Sequence, residues 1–460
     1  MSITEEVRQL REENAELRQK LAAVETQLAS ALERIAELSA QIKQGQEPPG
    51  FVKPKRQKAA GEGHPKRKKR AAEYNGSRRR AKPTRIERHA LEQCPECEYR
   101  LRGESIDYTR EVIEIPPPQA VEIIEHQVIK RWCPHCEKWR SPGLDLQGQV
   151  VGQGRMGVRI VSLVAYLRTT LRLTFRQIQA YLLTLHHLEV STGEVVKLCH
   201  GVRRQMKGQT EKLLNEVLAQ PVVHADETGW RENGDNGYIW TLATDGPQAI
   251  RYYQYAHSRS HFVLQHLLGT KFQGVLVSDF YSAYNLIPGR HQRCWVHLLR
   301  DLHKLKEEHA TKPEVIEWAQ GVRQLYDEAC AWLHTQVAPT AEERHQQAQT
   351  FSERADALGL RYASTSDHPC CVLAKRLLRH QDELFQFVLV PGLPADNNLA
   401  ERSIRPLVVV RKISGGSRSE NGSHTRMALA SLFGTWTARQ LNPFLTCLTI
   451  LQSPPHAASP

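Results

Sequence analysis

Pro221-Val222-Val223-His224-Ala225-Asp226-Glu227-Thr228 and, further on, Gly274-Val275-Leu276-Val277-Ser278-Asp279 decide how this chain is read. Each is a short apolar run rich in β-branched residues that ends in an aspartate, the pattern of a buried strand with a carboxylate at its end. Between them, Tyr238 to Ala243 and Ala249 to Tyr255 read as antiparallel partners, with turns at Gly234-Asp235-Asn236-Gly237 and Asp245-Gly246-Pro247. His261 to Leu268 has helical spacing. After Asp279 come a short strand at Arg293-Cys294 and a helix carrying Trp295, Leu298, Leu299, Leu302 and Leu305.

The order β-β-β-α-β-α is that of an RNase H-like fold, whose first and fourth strands lie side by side. That would bring Asp226 and Asp279 together. Two such carboxylates repel and need protons or cations to neutralise them. Hard divalent metals take carboxylate oxygens, and Mg2+ keeps positions for phosphate and water. A third carboxylate completes a site of this kind, and Glu401 is the candidate, within Asp396-Asn397-Asn398-Leu399-Ala400-Glu401-Arg402-Ser403-Ile404-Arg405. Asp396 or Asn397 can cap a helix there, Glu401 falls about a turn and a half into it, and Arg405 lies four residues on along the same face. Asp396 is the alternative third ligand. Glu227 is the alternative to Asp226, although neighbours in a strand point to opposite faces. Cys294-x-x-His297 either orders the site or contacts DNA, or is a core cysteine beside a packed histidine. Lys412, Arg418 and Arg426, around Gly415-Gly416, suit either phosphate contacts or a solvated face.

Outward from this core, Val315 to Ala331, Ala341 to Ala357 and Leu373 to Leu389 form helical runs between the second and third carboxylates. Upstream, Met156 to Leu171, Phe175 to Leu185 (capped by Thr174) and a helix from Val195 behind a Ser191-Thr192-Gly193-Glu194 capping box make three helices. Lys197, Arg203, Arg204 and Lys207 make the third basic, as in a helix-turn-helix, although any small bundle would look similar. Cys94-Pro-Glu-Cys97 and Cys133-Pro-His-Cys136 are two thiolate pairs suited to one tetrahedral Zn2+, with β-like alternation at Tyr108 to Ile115 and Ala120 to Val128 between them. This is a zinc ribbon, with Arg131 and Arg140 beside its second knuckle.

The net charge is +12, and residues 51–90 hold 15 Lys/Arg against 3 Glu, leaving 47 of each sign elsewhere. So local an excess, in Lys66-Arg67-Lys68-Lys69-Arg70 and Arg78-Arg79-Arg80, is an arm for a polyanion such as DNA, or else a solvated spacer. Residues 5–42 carry a 3–4 apolar repeat through Leu17, Leu21, Val24, Leu28, Ile35 and Leu38, with Asn14 at an a position, which favours a parallel coiled-coil dimer. Ten cysteines are too few for a disulfide scaffold. No apolar stretch is long enough for a membrane span or signal core, and no GxxxxGK[ST] loop is present.

His224 to Trp230, Val277-Ser278-Asp279-Phe280-Tyr281, Arg293-Cys294-Trp295-Val296-His297, and Asp396 to Arg405 with Arg411-Lys412 together resemble the IS66 family of bacterial insertion-sequence transposases. The order of parts is similar to that family over nearly the whole chain. The resemblance implies a DDE triad of Asp226, Asp279 and Glu401 that binds two Mg2+ (or Mn2+) ions, one structural Zn2+ on Cys94, Cys97, Cys133 and Cys136, and DNA contacts from the basic arm, His297, Arg405 and Lys412. It also implies cleavage of transposon ends and strand transfer to target double-stranded DNA by a homodimer or larger assembly in the bacterial cytoplasm at the nucleoid, with accessory proteins of the same element as further partners. A DNA-binding regulator with an inactive core, or an RNase H-like nuclease without strand transfer, would use the same parts.

The expected architecture is a multidomain α+β chain. It comprises a coiled coil (1–45), basic linker (46–90), zinc ribbon (91–150), helix-turn-helix-like helices (151–218), first part of the RNase H-like core (219–309), helical insertion (310–395), C-terminal core helix and region (396–450) and tail (451–460).

Overall fold

The chain divides into two units, residues 1–114 and 115–460. The structure, a computed structural model, describes residues 82–269 and 272–453 and the four helical positions Lys20, Ala22, Ser30 and Arg34. Apart from those four positions, the expected coiled coil lies outside the described residues, as do Lys66 to Arg70 and Arg78 to Arg80.

In the first unit, Cys94-Pro-Glu-Cys97 makes a tight turn in which the Cys94 amide donates to the Tyr99 carbonyl (2.9 Å) and the Glu98 amide to the Cys94 carbonyl (2.9 Å). In the second unit, β1 (Arg131–Cys133) and β2 (Lys138–Arg140) form an antiparallel hairpin around Cys133-Pro-His-Cys136. The residue after the second cysteine is left-handed in both segments, Glu98 at φ 58° and Glu137 at φ 50°. One short motif thus takes up the same unusual backbone state twice. The strands expected at Tyr108 to Ile115 and Ala120 to Val128 are not formed. Their apolar side chains stay exposed, Val112 at 80% and Ile123 at 89%. An alternating pattern makes a strand only when one face has something to pack on.

The main sheet runs β5-β4-β3-β6-β7. β3 (Val222–Glu232), β4 (Asp235–Ala243) and β5 (Arg251–Ala256) are antiparallel, and β6 (Val275–Ser278) and β7 (Arg290–Arg293) add parallel to β3's first half. The first and fourth strands of the sheet are therefore neighbours. β3 is longer than expected. Its pairing with β6 stops at His224 opposite Val277, whereas its pairing with β4 continues to Glu232 opposite Asp235. Asp226 therefore lies within a strand, just past the point where its parallel neighbour ends. The hairpin turn also lies earlier than expected, at Asn233-Gly234, both with positive φ (52° and 95°). That is the backbone a two-residue turn between twisted strands requires.

Helices cover both faces. On one side α1 (Val158–Thr169), α2 (Phe175–His186), α3 (Thr192–Gln205) and α4 (Lys207–Leu218) share a core with Val223, Ala225, Trp240, Leu242 and Tyr252 of the sheet. α5 (His261–Leu268) joins them. Thr174 and Gln177 form a reciprocal capping box for α2, and Ser191 caps α3 through the Glu194 amide. The opposite face packs in two groups. Val275 and Val277 meet α6 (Trp295–Glu308) and the insertion helices α7 (Pro313–Thr335), α8 (Ala341–Ala363), α9 (Cys371–Leu384) and α10 (Gln386–Leu389). Trp230, Ile239, Tyr253 and Tyr255 meet α11 (Asn398–Ser414) and α12 (Glu420–Ala438). α13 (Pro443–Gln452) returns to the first face.

Side-chain hydrogen bonds engage both edge strands of the sheet. Ser431 and Thr435 of α12 accept the Tyr253 and Arg251 amides of β5, and Gln292 of β7 accepts the Phe387 amide. This is one way to keep an edge strand from pairing with another chain.

α11 lies along β3 and is fastened at both ends. After it, Gly416 (φ 121°) lets the backbone approach so closely that an added Cβ would overlap the Arg231 carbonyl, while the Ser417 amide donates to that carbonyl (2.8 Å). Gly416→Ala is expected to destabilise the protein by about 2 kcal/mol or more, read from the chemical-denaturation midpoint. An unchanged midpoint would mean that this junction carries no constraint.

Candidate active site

Side chains alternate along β3. Val223 and Ala225 enter the core shared with α1–α4, and Trp230 enters the one under α11. By that parity His224 and Asp226 face α11, and Glu227 turns away. Glu227 meets Tyr284, whose hydroxyl donates to it at 2.5 Å, and Arg259, which reaches it through Nε at 3.0 Å. Asp279 leaves the end of β6, accepting the Tyr281 amide on Oδ1 (2.9 Å). Glu401 sits in the first turn of α11.

The third carboxylate is brought to the other two by a buried amide. Asn397, 1% exposed, donates from Nδ2 to the Ala225 carbonyl (2.7 Å) and accepts on Oδ1 from His224 Nδ1 (3.1 Å). Burial pushes the His224 imidazole down to about 4, so the ring is neutral and its Nδ1 proton is free for that bond. The Asn397 amide donates to Cys294 Sγ (3.2 Å), and the Cys294 amide donates to the Ser278 carbonyl (2.9 Å). β3, the end of β6 and the start of α11 are thus joined through two side chains. Asn397 stands at the expected cap position, but its side chain does not cap α11. Asp396 takes the Asn398 amide (2.9 Å), a turn contact that gives it a local role.

A buried guanidinium holds Asp279 from below. Arg293, 0% exposed, donates to the Asp279 carbonyl (3.0 Å) and Ser278 Oγ (3.1 Å), and pairs with Glu383 of α9 at 2.6 Å. Burial alone would raise the Glu383 carboxyl, but His380 and Arg293 overcome it and hold the group at about 2. The insertion therefore carries part of the support of the second aspartate.

The cluster is rich in negative charge. Burial, then Glu227, Asp279 and Glu401, push Asp226 up to about 8 against the Glu227 amide that hydrogen-bonds it. Glu401 Oε1 is buried with no hydrogen bond, and His297 Nε2 lies 3.5 Å from it. Arg259 is engaged by Glu227. Oxygen donors that repel one another, one of them unpartnered, fit a hard divalent cation. The side chains converge without closing on one point: among the described residues no three His, Cys, Asp or Glu groups are as tight as a formed metal site.

His297, on α6, reaches Glu401, whereas Arg405 and Lys412 lie on the exposed side of α11. Cys94 and Cys97 belong to the first unit, Cys133 and Cys136 to the second. In each pair hydrogen bonds lower the first thiol, from the Glu96 amide to Cys94 and from the Cys136 amide to Cys133. That shift favours the thiolate a metal takes. Arg259, Tyr284 and Glu383 carried no signal in the sequence, and Asn397 signalled only a cap.

In metal-free protein Asp226 keeps its proton to about pH 8, whereas an unfolded chain loses it near about pH 4. The folded state then holds more protons between those values, so stability falls as pH rises through that window. Asp226→Asn should flatten the dependence, seen as urea midpoints in EDTA at about pH 5 and about pH 8. Equal slopes in wild type and variant would assign the titration elsewhere.

Comparison with known proteins gives the family. The model described as "Transposase IS66 family" matches residues 153–425, and that described as "zinc-finger binding domain of transposase IS66" matches residues 92–137. Three proteins of Sinorhizobium fredii (strain NBRC 101917 / NGR234) are similar, each named only as uncharacterized. y4jO is 27% identical over 35% of this chain and 47% of its own length. y4jD is 25% identical over 54% and 53%, and y4qI 25% over 56% and 52%. The chain spans about half the length of each of these relatives. With one family model covering the main sheet, the helices from α1 to α11 and all three carboxylates, and a second covering both cysteine pairs, the chain belongs to the IS66 transposase family.

Proposed function

We propose that the α+β body is an RNase H-like nuclease core and that the protein cleaves the ends of an insertion sequence and joins them to target DNA. The observation that carries this is the approach of Asp226, Asp279 and Glu401, from β3, β6 and α11, with His297 Nε2 3.5 Å from Glu401. These three residues would hold two Mg2+ (or Mn2+) ions. When bound, the ions would supply Lewis-acid activation of water or a DNA 3′-hydroxyl and stabilise the departing 3′-oxygen.

The chain's own residues set the geometry. Asn397 fixes the distance between β3 and α11, Arg293 fixes the backbone of Asp279, and His297 orients Glu401. Asp226 must give up its proton for the site to load, so loading is favoured as pH rises toward about 8. In hydrolysis an O–P bond forms from water and the P–O3′ bond breaks. In joining, the freed 3′-hydroxyl forms the new O–P bond as a target phosphodiester opens. One phosphodiester replaces another, so joining needs no external energy source.

The remaining parts supply binding. α3 buries Val195, Cys199 and Val202 and leaves Lys197 and Arg204 exposed, which supports a DNA-facing role for this helix-turn-helix-like region. Arg405 and Lys412, exposed on α11, are suited to backbone phosphates. The zinc segment, the basic arm and the N-terminal heptads would add a second DNA contact, an electrostatic tether and a dimer that pairs two ends in the bacterial cytoplasm. Accessory proteins of the same element would complete the assembly.

The test is a labelled duplex from the element's end, incubated with Mg2+ or EDTA. Nicking with Mg2+, lost by at least about a hundredfold in Asp226→Ala, Asp279→Ala and Glu401→Ala while binding persists, is expected. Binding without cleavage in wild type would favour the regulator reading, and retained cleavage in Glu401→Ala would mean a different third ligand. Purified protein should hold one zinc per chain, lost in Cys133→Ser and Cys97→Ser alike. Zinc retained in either variant would break the shared four-thiolate site.

A further inference from the structure

A second charged feature lies beside the carboxylate cluster. The C-terminal end of α1, β5, α11 and α12 enclose a groove of about 360 Å3. Arg172, Arg251, Arg402 and Arg426 line it, and no Asp or Glu does. Behind them Arg168 and Arg426 are both buried, each 8% exposed, and Arg426 Nη1 donates to the Arg168 carbonyl (3.1 Å). The charges acting on Arg426 are those of Arg168 and the Cys199 thiol, and burial followed by Arg168 pushes the guanidinium down to about 9. Asp245 acts on Arg251 but does not line the groove.

Arg168 donates to the Leu173 carbonyl (2.8 Å) and lies over the Phe175 ring (4.2 Å), but among the described residues no carboxylate pairs with it or with Arg426, and a buried guanidinium does not escape by losing its proton. Two side by side call for an anion. The hydroxyls of Thr169 and Thr170, both lining the groove, are buried with no hydrogen-bond partner among the described residues, and so is Arg168 Nε. Donors without acceptors and cations without anions thus meet at one place.

We propose that this groove binds a phosphate group of the DNA strand that passes the three carboxylates. Tyr253, Leu407, Ala430 and Phe433 also line it, an apolar surface that suits a sugar or base attached to the phosphate. Leu399, Arg402 and Ser403 of α11 line it, flanking Glu401 in sequence, so phosphates neighbouring the scissile one fall within its reach. The identity of the strand rests on the nuclease reading, whereas the need for an anion rests on the arginines alone.

The experiment uses the full zinc-loaded chain without added Mg2+ or Mn2+, so that cleavage plays no part. Binding of a labelled random-sequence duplex and of a labelled single strand is followed by anisotropy across a salt series. Wild type is compared with Arg172→Gln/Arg402→Gln, both on the exposed rim, and with Arg354→Gln/Arg361→Gln as a charge-matched control on α8. The expected result is a salt slope shallower by about 0.7–0.9 for each phosphate that is no longer neutralised and an affinity reduced by about tenfold, with the control unchanged. Arg172→Lys/Arg402→Lys should recover most of the slope, which a merely misfolded variant would not.

An unchanged slope in the rim variant, or an equal loss in the control, overturns the proposal. Inorganic phosphate is added to a parallel thermal melt. If it stabilises wild type but not the rim variant while the DNA slope stays the same, the groove takes free phosphate and the strand assignment falls. If wild type proves unable to cleave while the slope still changes, the nuclease reading fails and the groove stands.

Discussion

The buried amide of Asn397 is the contact on which the rest of the site depends. A sheet and a helix distant in sequence have no intrinsic reason to hold carboxylates at a fixed separation. Asn397 supplies that reason by meeting the backbone of β3 at Ala225, one residue before Asp226, and by leading directly into the helix that carries Glu401. Its neighbours are arranged to suit it: His224 is neutral by burial and faces the amide oxygen, and Cys294 offers its sulfur to the Asn397 backbone. In a dry environment each of these polar groups would be costly if left alone, so they stand or fall together.

Around that clamp, charge is distributed by function. Where the protein needs structure, it pairs ions: Arg293 with Glu383, Arg259 with Glu227, Arg439 with Glu216. Elsewhere it withholds the partner. Three carboxylates lie together on one side of α11, and arginines without acids gather in the groove beside it. Both arrangements raise the energy of the chain alone, and each would be relieved by a bound ion of the opposite charge.

Much of the frame was legible from local pattern. The helices at Phe175 and Thr192 begin at their Thr174 and Ser191 caps, the helix at His261 to Leu268 has the bounds its spacing suggested, and the two apolar runs ending in aspartate became neighbouring strands of one sheet. That Glu227 faces away from Asp226 was readable by parity before its partners were visible. Local pattern failed where distant groups decide. The alternating residues between the cysteine pairs formed no strands among the described residues. β3 ran past Asp226 because β4 pairs with it to Glu232, even after β6 had stopped. Arg293 looked like a strand residue and Glu383 like a helix surface, since only the fold puts them together. The arginines of the groove come from four separate elements, and Arg426, read as a phosphate contact or a solvated side chain, proved to be buried.

The insertion between the second and third carboxylates has a consequence for synthesis. Asp226 and Asp279 leave the ribosome early, but Asn397 and Glu401 follow only after all of α7 to α10. A product that ends before residue 397 has two of the acidic groups and neither the clamp nor the third. Such a chain would carry two aspartates with nothing to set a third carboxylate against them, so the cluster forms as a unit only once residue 401 has been made.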